Sequence, residues 1–151
     1  MDDLYDKDFV LWAMGQAELL RLRAEGKLAN DGEVDWSNIA EEIDTLGRSD
    51  RRELRNRVRT ILVHLMKLQA SPATEPRAGW HETIIEQRTQ MQALLEDSPS
   101  LRADVQKIIT AELSPARSIA AVSFTDHGEQ PRVDPAGLTY SEEQVMGPWL
   151  P

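Results

Sequence analysis

Cysteine is absent from this 151-residue chain, which removes disulfides, thiolate metal ligands and a cysteine nucleophile. That is compatible with a reducing cytosol. No apolar run approaches the ~20 residues that span a bilayer. The acidic opening, Met1 to Val10, lacks the basic-then-apolar order of a secretory signal. A cytoplasmic protein without membrane association is the expectation. Glycines are scattered at the ends of periodic segments, not clustered to cradle a phosphate. There is no nucleophile elbow, P-loop or dinucleotide fingerprint. None of His64, His81 and His127 has a glutamate three residues before it, as a carboxylate-bridged bundle metal site requires. His81-Glu82 alone is too little for a metal ligand pair. The sequence therefore nominates no catalytic residue, no metal and no cofactor.

What is present is helical periodicity. Apolar residues make up 40% of the chain, enough for a globular core at this length. A first helix is expected over Lys7–Glu25, capped by Asp6 and stopped by Gly26, burying Tyr5, Phe9, Trp12, Ala13, Leu19 and Leu20. After Asp35, a second N-cap, a stripe of Trp36, Ile39, Ala40, Ile43 and Leu46 should face a core. Gly47 either ends that helix or bends it. Leu54, Val58, Ile61, Leu62, Leu65 and Leu68 form the next stripe, with Val63 and Met66 behind it. A helix apolar all round is central.

Pro72 and Pro76 break the chain before a helix over about Ala78–Glu96, and Ser98-Pro99 restarts it. The last helix reaches about Thr125, with Pro115 as a kink or break. Four of the eight prolines fall in the final 25 residues, which read as an extended strap with one short helix boxed by Ser141 and Gln144. Tyr140, Met146, Trp149 and Leu150 should pin it. The fold class is thus all-α: a bundle of about five main helices over 1–126, with the strap, 127–151, packed on the same domain.

Several of these pieces carry a resemblance: Tyr5-Asp6, Trp12, Asp35-Trp36, Ala40-Glu41-Glu42-Ile43, Leu46-Gly47-Arg48, His64-Leu65, Lys67, Trp80, Ile84, Gln87-Arg88 and Ser98-Pro99-Ser100-Leu101. In this order and spacing the chain resembles a bacterial domain-of-unknown-function family, number 29 in that series. Trp149-Leu150-Pro151 looks like the family's ending. The resemblance implies an all-helical domain of prokaryotic origin and brings no activity with it.

Two sets of polar residues stand out. The first interrupts apolar stripes: Gln16, Glu42, His64, Gln87 and Arg88. A buried polar group left unpaired costs about 1–3 kcal/mol, so these should find partners. Glu42 is expected on Arg55 or Arg88, and His64 on a local group. Most simply they fix the register of the helices. Alternatively Glu42, His64, Gln87 and Arg88 line a polar pocket of a small enzyme or ligand-binding bundle.

The second set is the stripe Arg48, Arg52, Arg55 and Arg59, part of a segment, 48–67, with a local charge of +5 in a chain of −9. A phosphate backbone would suit it. The acidity of the whole chain and the absence of interleaved aromatics argue against nucleic acid. Pairing within the fold, an unidentified protein partner or a second copy fits better. The leading expectation is a non-catalytic interaction module, with a homodimer as one form.

Overall fold

The computed structural model describes residues 2–27 and 31–151, without the side chains of Asp2 and Asp3. The protein is all-α, with six α-helices, three short 3-10 turns and no strand among the described residues. It divides into two compact units, Met1–Ser49 and Asp50–Pro151. That boundary falls inside the 1–126 region read from the sequence as one bundle, and the strap belongs to the second unit.

In the first unit, α1 (Asp2–Lys7) precedes α2 (Phe9–Ala24). One uninterrupted helix from Lys7 is therefore not what forms. The cap is Asp8, not Asp6: its carboxylate accepts the Leu11 N–H at 2.9 Å, satisfying a donor that the first turn leaves open. Gly26, at φ 70°, ends α2 in the left-handed conformation that glycine adopts without strain. The Lys27 N–H reaches back to the Leu22 carbonyl there. Trp12 is buried, whereas Phe9, placed on the core face by its period, is exposed.

Asp35 starts α3 as its sequence position predicts, accepting from the Asn38 backbone at 3.3 Å. This helix then runs from Trp36 to Ala70. Gly47 does not end it, and a Cβ there would meet nothing within 4 Å. With helical residues on both sides able to keep their i to i−4 bonds, one glycine costs only about 1 kcal/mol.

The second unit is a helical bundle. Leu54, Val58, Ile61, Leu62, Leu65 and Leu68 are buried, and so are Val63 and Met66 on the reverse side. Around them pack α4 (Arg77–Asp97), α5 (Val105–Asp126) and the short α6 (Glu142–Met146). Ser98 stands at the N-cap position of the restart, with Pro99 next, but its side chain makes no cap bond. Its hydroxyl donates to Asp50 at 3.0 Å, and a 3-10 segment, Pro99–Asp104, precedes α5. α5 passes through Pro115 without a break.

The strap is extended apart from a 3-10 turn at Pro135–Gly137 and α6, whose capping box between Ser141 and Gln144 forms as read from the sequence. Tyr140, Met146, Trp149 and Leu150 pack on the core. The Tyr140 hydroxyl donates to Gln69 at 2.6 Å, and burial raises its pKa.

Candidate interaction surface

The first half of α3 is built like the second and ends up differently. Trp36, Ile39, Ile43 and Leu46 recur at intervals of three, four and three residues, the spacing of a helix–helix seam. Yet Trp36 is 50% exposed, Ile43 64% and Leu46 67%. Only Ile39 is half-buried, and Ala40 is exposed. The sequence expectation of a buried stripe fails here because the short α1 and α2 do not reach this face. α2 meets the first turns of α3 along another side. There the Gln16 carboxamide accepts from the Asp35 N–H at 2.8 Å and donates to the Glu33 carbonyl at 3.3 Å. The Trp12 indole donates to the Asp35 carboxylate at 3.3 Å, and Tyr5 donates to Glu42 at 2.5 Å. That bond holds the Tyr5 hydroxyl protonated, with its pKa pushed up to about 12. The bond from Asn38 lowers the pKa of Asp35.

On the sides of α3 turned away from the bare stripe stand the exposed carboxylates of Glu41 and Asp44. Both pair with Arg48, at 3.8 and 2.7 Å. On α2, Val10, Leu11 and Met14 are also exposed, on the side turned away from Trp12 and Gln16.

The polar residues singled out by the sequence take separate partners. Gln16 is buried and bonded as described. Glu42 takes Tyr5, not Arg55 or Arg88, a contact between residues 37 positions apart that no local pattern announces. His64 bonds locally, its Nδ1 lying 2.8 Å from the Thr60 carbonyl, and burial lowers its pKa. Gln87 accepts from Arg57 at 3.1 Å.

Arg88 clamps the strap. It donates to the carbonyls of Val145, Gln144 and Trp149 at 2.9, 2.7 and 2.7 Å, while its own burial lowers its pKa. A guanidinium suits this task because its planar fork presents several donors at once.

The arginine stripe divides as well. Arg48 pairs within α3, and Arg52 is exposed. Arg55 and Arg59 converge on Glu112 of α5, at 3.1 and 2.6 Å. Glu112 is 1% exposed. Burial pushes its carboxyl upward, but the hydrogen bonds from Arg59 and Arg55 outweigh that and hold its pKa below the usual value. Sequence reasoning missed Glu112, although a signal was present. It sits on the stripe of Val105, Ile108, Ile109, Ala116 and Ala120, where a lone carboxylate demands a cationic partner.

The second unit also holds a cavity of about 150 Å³ lined by Lys67, Trp80, Ser123, Phe124, His127 and Glu129, among others. The Lys67 ammonium lies 5.8 Å from the Trp80 ring centre. Among the described residues no group of three or more His, Asp or Glu stands where it could hold a metal ion. No helix of the described residues is long and apolar enough to cross a membrane.

The chain matches no curated protein and no solved structure. The domain of unknown function DUF29 does match it, over residues 4–150. With the resemblance carried by Asp35-Trp36, Leu46-Gly47-Arg48 and Gln87-Arg88 thus extended to almost every residue, the chain belongs to that family.

Proposed function

We propose that the protein is a cytoplasmic, non-catalytic interaction module that docks another polypeptide through the bare stripe on the first half of α3. The observation that supports it is the exposure of Trp36, Ile43 and Leu46 at seam spacing on one ordered helix. Scattered exposed apolar residues need no explanation, but an aligned set does. The polar residues that could have served chemistry are engaged elsewhere: Glu42 with Tyr5, His64 with Thr60, Gln87 with Arg57 and Arg88 with the strap.

The test is a photo-crosslinking residue placed at Ile43 in growing cells, with the same residue at exposed Ala111 as control. A discrete adduct from position 43 alone is the expected result. No adduct, or the same products from both positions, overturns the reading. An adduct of twice the chain mass would identify a second copy as the occupant.

A further inference from the structure

The cavity of about 150 Å³ in the second unit lies where several segments end or begin. Lys67 comes from the last turn of α3, Trp80 from the first turn of α4, and Ser123 and Phe124 from the end of α5. His127 and Glu129 belong to the chain leaving α5. Gly128 makes that last piece possible. At φ 63° it turns the backbone so that the Glu129 N–H returns to the Phe124 carbonyl at 2.8 Å, the reversal a left-handed glycine gives a helix end. Glu129 is then fixed by Ser71, whose hydroxyl donates to its Oε2 at 2.8 Å.

The polar groups on this wall are of both signs and do not satisfy each other. The Lys67 ammonium is half-buried and lies near the Trp80 ring, yet no carboxylate of the described residues pairs with it. Glu129 commits one oxygen to Ser71, which leaves the second open. His127 Nδ1 lies 2.7 Å from the Ser123 carbonyl. That carbonyl only accepts, so Nδ1 carries the proton and Nε2 of the neutral ring presents a lone pair. The cavity thus offers an ammonium and the Ser123 hydroxyl to an anionic group. To a cationic group it offers a carboxylate oxygen and an imidazole nitrogen. Phe124, 2% exposed, and Trp80 supply an apolar part of the wall.

A lone anion would meet Glu129 as a like charge, and a lone cation would meet Lys67 in the same way. A hydrocarbon would strip water from both charges and replace none of its hydrogen bonds. One class of guest answers every group present. We infer that this cavity binds a small zwitterion, an α-amino acid with a short apolar side chain, its carboxylate on Lys67 and Ser123 and its ammonium on Glu129 and His127. A cavity of ~150 Å³ accepts a benzene-sized guest of about six heavy atoms, so alanine to valine fits and tryptophan does not. The site lies wholly within the second unit and stands whether or not the stripe of α3 docks a partner.

Titration of L-valine into the full chain, followed by two-dimensional NMR at the Trp80 indole N–H, tests this. Isobutylamine, which is valine without its carboxylate, and isovalerate, which is valine without its amine, are the matched probes. Valine is expected to shift the Trp80 signal saturably and to bind at least tenfold tighter than either probe, since each lacks one set of charge-assisted hydrogen bonds. Tryptophan should leave the signal in place. K67M keeps the apolar stem of the side chain, and E129Q keeps an acceptor for Ser71; each should weaken valine at least tenfold.

No saturable shift with valine at millimolar concentrations overturns the inference. Equal binding of isovalerate or isobutylamine also overturns it, because one charge would then be idle. So does tryptophan binding as tightly as valine, or wild-type affinity in both variants, either of which would put the guest outside this cavity. Should K67M disturb the fold, E129Q and the two single-charge probes on the unaltered chain still decide.

Discussion

The two halves of α3 carry the same kind of stripe and meet opposite fates. From Leu54 to Leu68 every stripe residue is buried; from Trp36 to Leu46 none is. The difference lies outside the helix. The second half has long neighbours, α4 and α5, on one side and the strap on another, and so is covered even on its reverse side. The first half is met by α1 and α2 along the line of Asp35 and Glu42, where hydrogen bonds and the aromatic pair Tyr5–Trp12, with ring centres 4.7 Å apart, hold the contact. Periodicity marks the face a helix can bury. Whether that face is buried depends on what else is in reach.

The comparison breaks most sharply by equal truncation on the two halves. Leu65→Ala removes packing from a fully buried site and should cost about 2–5 kcal/mol, whereas L46A should change stability by less than about 0.5 kcal/mol. Urea unfolding of both variants is the measurement. Similar losses would mean that Leu46 is covered within the chain and that no docking face exists there.

Glu112→Ala is the next largest change. It strips the buried carboxylate from Arg55 and Arg59 and should cost about 2–4 kcal/mol, near the range for breaking a buried pair from one side and reduced by the hydration left to both arginines. Its pH dependence has a definite sign. Because the folded-state pKa of Glu112 is lowered, its contribution is present above the unfolded carboxylate pKa and disappears as pH falls through the folded value. Acid titration of folded wild type and variant should therefore converge at low pH; a constant gap would assign the loss to packing alone.

A smaller effect is expected at Arg88. R88A deletes three hydrogen bonds to strap carbonyls and should cost about 1–3 kcal/mol. It should also speed amide exchange in residues 144–149 before the helices respond. R88K keeps the charge without the fork and should recover only part of that protection. Unchanged exchange in the strap would show that Tyr140 and Trp149 hold it without the clamp.

Much of the second unit was legible because its signals are local. The stripe of Leu54 to Leu68, the stop at Ala70 and the box of Ser141 and Gln144 all follow from spacing or from a side chain reaching a backbone group a few residues on, as does the cap at Asp35 in the first unit. His64 obeyed the same rule by bonding within its own turn. Glu112 was readable from the stripe of α5. Its two arginines, more than 50 residues away in sequence, were not. Arg88 was singled out as a polar residue needing partners, but its choice of main-chain carbonyls over a carboxylate came from the strap folding against α4.

The sequence by itself determined that this protein is helical and which stretches would be helices. It also determined where most of them would end, since those outcomes depend on backbone dihedrals, caps and a period of 3.6 residues. Only the tertiary structure decided that α3 runs through Gly47 and that its first stripe stays bare. It alone decided that Arg55 and Arg59 serve a buried carboxylate and Glu42 a tyrosine. Those outcomes depend on which surfaces come within a few ångströms of each other, and at that range dispersion, desolvation and hydrogen bonding choose among partners that spacing along the chain leaves equal.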